Sequence, residues 1–104
     1  MIKRIRFVKE AENTFLDAVE YIANDNPIAA QKFRDSVFTK LEGLMKFPEM
    51  FRLVPEFPEL GFRDLFVGSY RFFYKPVDDT IWVAGVWHFA QIPEPPIPID
   101  DTEF

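Results

Sequence analysis

The spacing of apolar positions changes along this chain, and each change marks an element. Residues 2–8 read IKRIRFV. Ile5 and Phe7 fall on one face of an extended segment, with Arg4 and Arg6 on the other, which predicts a strand from Ile2 to Val8. From Lys9 the period lengthens. Ala11, Phe15, Ala18, Val19 and Ile22 recur three and four apart, the stripe of a helix reaching about Ala23. Glu10, Glu12, Asp17 and Glu20 take its solvent side. The run Asn24-Asp25-Asn26-Pro27 stops that helix and starts another, with Asn26 as N-cap and Pro27 in the first helical position. A second stripe, Ala30, Phe33, Val37, Leu41 and Leu44, carries the next helix to about Met45, and Pro48 ends it. Helices joined this tightly form an antiparallel hairpin.

Residues 47–61, FPEMFRLVPEFPELG, hold three prolines and predict an extended connection with little regular structure. Three strands follow: Phe62 to Val67, Tyr70 to Lys75, and Ile81 to Phe89. Gly68-Ser69 suits a two-residue turn with glycine first, and Pro76 to Thr80 forms the second turn. Residues 93–104, PEPPIPIDDTEF, combine four prolines with four acids. They are expected to extend away from a single domain of residues 1–92 as an acidic tail. The order strand, helix, helix, three strands predicts an α+β fold: an antiparallel sheet with the helix hairpin packed on one face. The other face stays partly open, and a site is expected there.

Composition narrows the chemistry. The 104 residues suit one domain, 48% are hydrophobic, and thirteen are phenylalanine, which makes a globular core. With no cysteine, disulfides, thiolate nucleophiles and thiolate metal sites are excluded, in keeping with the cytoplasm. No metal-ligand spacing appears, and neither a metal nor a cofactor is expected. No apolar run approaches the length of a membrane span, and the first ten residues do not read as a signal peptide. The net charge is −5, and the tail holds most of it through Glu94, Asp100, Asp101 and Glu103. A nearly neutral body argues against strong non-specific nucleic-acid binding. A local basic group, Lys3, Arg4, Arg6 and Lys9, remains, suited to an acidic partner or simply to a solvated edge strand.

The candidate chemistry centres on Arg71. If Gly68-Ser69 is a two-residue turn, Asp64, Phe66, Arg71 and Phe73 share one face of the hairpin, and Leu65, Val67, Tyr70 and Phe72 share the other. His88, alternating with Val86, Ala84 and Trp82 on the last strand, is expected on the face of Arg71. Together they offer a guanidinium fork for phosphate oxygens and an imidazole that moves protons near neutral pH. The plainer alternative pairs Arg71 with Asp64 or another acid and leaves His88 structural. Arg63, close in sequence to Glu56 and Glu59, reads as part of a surface ion pair, and Tyr70 and Tyr74 as core fillers with polar tips.

Four stretches together resemble toxins of the RelE/ParE superfamily from bacterial type II toxin–antitoxin modules, in the ParE-like, plasmid-stabilisation branch. They are AVEYIANDNPIAAQKF (residues 18–33), LEGLMKFPEMFRLVPE (41–56), FRDLFVGSYRFFYK (62–75) and IWVAGVWH (81–88). The resemblance implies two helices packed on an antiparallel sheet, as read above. It implies a cytoplasmic toxin neutralised by a cognate antitoxin that wraps around it. Lys3, Arg4, Arg6 and Arg63 are then candidates for antitoxin or target binding, with no direct sequence-specific DNA contact expected of the toxin. ParE-like members poison DNA gyrase by binding, which is the function expected here. Ribonuclease members instead cut mRNA on the ribosome, and Arg71 and His88 match two of their catalytic positions. A tyrosine that often follows the histidine is Phe89 here. A third alternative is a degenerate member that binds antitoxin without toxicity.

Overall fold

The computed structural model describes residues 1–96. Strand β1 (Arg4–Phe7) leads into helix α1 (Lys9–Asp25) and helix α2 (Pro27–Gly43). A loop containing a 3₁₀ turn at Pro58–Leu60 follows, and then come β2 (Arg63–Val67), β3 (Tyr70–Val77) and β4 (Thr80–His88). The helix junction forms as its sequence dictates. The Asn26 side chain accepts hydrogen bonds from the amides of Ile28 and Ala29, both at 3.1 Å, and Pro27 opens α2.

The sheet order is β1-β4-β3-β2. Strands β2, β3 and β4 are antiparallel neighbours, but β1 pairs parallel to β4, from Arg4 opposite Thr80 to Phe7 opposite Val83. The expected antiparallel sheet is therefore mixed. A hairpin cannot give parallel neighbours, whereas the long excursion through both helices, the loop, β2 and β3 can.

Both hairpin turns are tight. Gly68 has φ 56°, the left-handed first position of a turn whose ends are Val67 and Tyr70. Strand β3 runs on through Pro76 to Val77, two residues past its expected end, and the second turn shrinks to Asp78-Asp79. Pro76 is tolerated because β2 reaches only Tyr74, so β3 has an unpaired side there.

The helices pack on one face. Ala11 and Phe15 of α1 and Val37 and Leu41 of α2, with Leu44 beyond it, meet Leu65, Val67, Phe72, Tyr74, Ile81, Val83 and Val86 of the sheet in one core. Val83 and Val86 both reach it although they lie three positions apart, an odd spacing that puts strand residues on opposite faces. A register shift makes this possible: Phe73 pairs with Gly85, but Tyr74 pairs with Val83, so β4 carries one extra residue. The opposite face holds a smaller cluster, Val54, Phe62 and Phe73, with Phe57, Leu60, Ala84 and Trp87 against it. The loop before β2 thus covers a face expected to stay partly open. It also behaves as a short extra strand, with Leu53 bridging Arg63 and the Val54 amide donating to Phe62 O.

Candidate functional site

The Arg71 side chain lies under this loop. Its position opposite Phe66 and Trp87 puts it on the face away from the helices, beside Phe73. The guanidinium is almost fully enclosed, and each of its three nitrogens is engaged. It grips Glu56 through two bonds, at 2.6 and 2.8 Å, and Asp64 through two more, at 3.2 and 2.6 Å. Phe66 and Phe73 lie against the guanidinium, 5.6 and 5.1 Å from their ring centres. Arg52 adds a 3.2 Å bond to Asp64 and also lies over Phe66. Asp64 is buried and Glu56 comes from the loop, so the network ties loop to sheet.

The electrostatics follow from this geometry. The bonds from Arg71 pull the Glu56 carboxyl from 4.5 down to about 2. Glu56 and then Asp64 hold Arg71 more firmly in its charged form. Two further cations fasten the same loop: Arg63 donates to Phe51 O at 2.7 Å, and Lys75 donates to Leu60 O at 3.2 Å while lying over Phe62. The expected ion pair of Arg63 is thus a bond to a carbonyl.

His88 lies elsewhere. It pairs with Tyr70, whose side chain points to the helices, so the expectation that Arg71 and His88 share a face is corrected. Adjacent pairs on a strand face opposite ways, and Arg71 pairs with Trp87. The extra residue in β4 also breaks the expected alternation of His88 with Ala84, which faces away from the helices. The His88 ring packs edge-on to Tyr70 at 5.3 Å and against Phe89 at 4.8 Å, and its Nδ1 accepts the Ala90 amide at 3.1 Å. Burial, with Tyr21 nearby, pushes the Tyr70 hydroxyl up. Tyr74 fills the core, and burial raises its hydroxyl too.

Lys3, just before β1, and Arg4 and Arg6 on it are all exposed. Arg4 lies 3.6 Å from Asp79, and the neighbouring Lys9 lies 3.9 Å from Glu12. Arg63 does not join them, because β2 is the opposite edge of the sheet. A cavity of about 520 Å³ opens beside this basic group, between the start of α1 (Val8–Ala11, Thr14) and Ala84–Trp87 of β4, with Gln91 and Glu94–Pro96 on its rim. The sequence did not disclose it, because the segment 93–96 had no periodicity to place it. Among the described residues, no group of histidines, cysteines and acids could hold a metal, and no helix is long and apolar enough to cross a membrane.

The model of one protein family, the ParE toxin of type II toxin–antitoxin systems (parDE), matches residues 5–93. The chain belongs to that family. No curated protein matches it. In this ParE-family toxin the matched segment starts within β1 and ends at Pro93, so it takes in all of β1 but Arg4, the other three strands, both helices and the Arg71 network. Membership gives the chain the role of toxin in a toxin–antitoxin pair.

Proposed function

We propose that this ParE-family chain is a cytoplasmic toxin that acts by binding DNA gyrase rather than by cutting RNA, and that an antitoxin neutralises it. One observation carries this reading. Arg71, the residue best suited to hold a scissile phosphate, has all three guanidinium nitrogens bonded to Glu56 and Asp64, and His88 lies across the sheet from it. A ribonuclease needs a cation at the phosphate and an acid or base on the same side of the bond it cleaves. Binding needs neither, only an accessible surface.

The exposed cations of β1 suit an acidic segment of the antitoxin, since complementary charge speeds encounter and fixes orientation. The experiment is induced expression in a bacterium without antitoxin, comparing the wild-type chain with His88→Ala. His88 stands half-exposed at a strand end, so this variant keeps the fold. Binding expects growth arrest by both proteins, and DNA breaks stabilised when purified toxin meets gyrase. Arrest lost in the variant, with mRNA cleavage by the wild type, would reverse the reading. Unimpeded growth with both would point to a protein that binds antitoxin without toxicity.

A further inference from the structure

Strand β4 outruns its neighbour. β1 pairs with it only from Thr80 to Val83, and the Val8 amide closes that stretch with a 3.0 Å bond to Val83 O. Beyond Val83, β4 runs on to His88 with β3 on one side. Phe89 N–H donates to Ser69 O at 2.8 Å, so by alternation Trp87 and Gly85 turn their N–H and C=O groups to β3, while Val86 and His88 turn theirs away. Gln91 answers His88 on that open side: its side-chain oxygen accepts the His88 amide at 2.7 Å, and its own amide donates to His88 O at 2.9 Å. Val86 has no such neighbour among the described residues. It lines the cavity of about 520 Å³, with Ala11 and Thr14 on the helix side and the Trp87 indole on the other. The cavity is a missing length of strand. Its rim is acidic: Glu10 and Glu94 have no ionic partner among the described residues, whereas Lys9 is answered by Glu12 at 3.9 Å.

We infer that this cavity docks an extended segment of a partner protein, in which an aliphatic residue flanked by Arg or Lys adds to β4 at Val86 as a short strand. Three observations favour that occupant. The outward N–H and C=O of Val86 are the donor and acceptor that an added strand uses. The volume suits a ligand of a few residues. The charge also matches. A residue opposite Val86 puts its side chain on the helix face, beside Ala11, where an aliphatic group fits. Its two neighbours turn to the Trp87 side, and their long cationic side chains meet an aromatic ring and the rim carboxylates. The site is distinct from the basic β1 edge, takes a segment of opposite charge, and does not depend on gyrase being the target.

The test uses the full chain, with the Val86 amide and the Trp87 indole N–H followed by NMR while acetyl-Arg-Val-Arg-amide is added. Saturable shifts are expected at both groups. The same peptide with its backbone amides N-methylated keeps its charges but cannot donate to the Val86 carbonyl, and is expected not to bind. The variant Glu10→Gln/Glu94→Gln, changed at two exposed positions, is expected to bind the unmethylated peptide about tenfold more weakly, the scale of two surface charges, and the difference closes at high salt. Equal binding by the methylated peptide overturns strand addition. Equal binding by acetyl-Glu-Val-Glu-amide, or an unweakened variant, overturns the cationic class. No shift at either group with about 10 mM peptide, a binding free energy too small for a specific site, overturns the dock altogether.

Discussion

The two faces of the sheet are held by different forces. On the helix face, rings and aliphatic chains from both helices fit against Leu65, Phe72 and Val83, and Phe15 alone meets Phe7, Phe33, Phe38 and Phe72 within 5.4 to 6.1 Å. On the other face three buried apolar residues suffice, because Arg71, Arg52 and Lys75 bind carboxylates and a carbonyl that fasten a proline-rich loop. Apolar burial is indifferent to pH and only weakly dependent on direction. A charge network fixes geometry and fails abruptly when one member is lost. A loop of three prolines and little period could not supply a large apolar face, so ionic fastening answers a limit of its own sequence.

The comparison can be broken from either side. Arg71→Ala leaves the buried Asp64 carboxylate with only its 3.2 Å bond from the half-exposed Arg52, and unfolding by denaturant should show a loss of about 3–5 kcal/mol. Phe72→Ala opens a cavity in the helix-side core and should cost a similar 3–5 kcal/mol. The two differ in the response to acid, which sharpens the contrast. Glu56 has its carboxyl depressed to about 2 from 4.5, so its contribution is present above about pH 4.5 and is lost as the pH falls towards 2. Its side chain is 37% exposed, and after allowance for screening the loss is about 1–2 kcal/mol. Glu56→Gln should remove that part of the acid sensitivity, while Phe72→Ala should keep it. Asn26→Ala removes the α2 cap and should cost about 1 kcal/mol, visible as a lower midpoint with an unchanged acid profile. Smallest of all, Asp79→Asn removes one exposed partner of Arg4 and should change stability by less than about 1 kcal/mol.

Element order, the Asn26-Pro27 junction, the Gly68 turn and the pairing of Phe66 with Arg71 were all legible, because each depends on local chemistry or on a period of two or 3.6. The relation between Arg71 and His88 was not. It depends on one extra residue in β4 and on which pair faces which side, and no hydrophobic period near Ala84-Gly85 fixes that irregularity. Glycine at 85 is a trace of it: a Cβ there would come 3.1 Å from Trp87 Nε1. Glu56 as the partner of Arg71 was equally hidden, since the two lie fifteen positions apart across the Pro58 turn and only the folded loop closes that distance.

The place of β1 beside β4 has a consequence for the chain as it is made. Among the described residues Arg4 to Phe7 pair with Thr80 to Val83, so β1 waits for a strand more than seventy positions later before the sheet can close. Contacts so distant in sequence form late and slowly. A ribosome making this toxin therefore carries an incomplete sheet until β4 emerges, and a message truncated before Thr80 yields a chain whose β1 lacks its β4 partner.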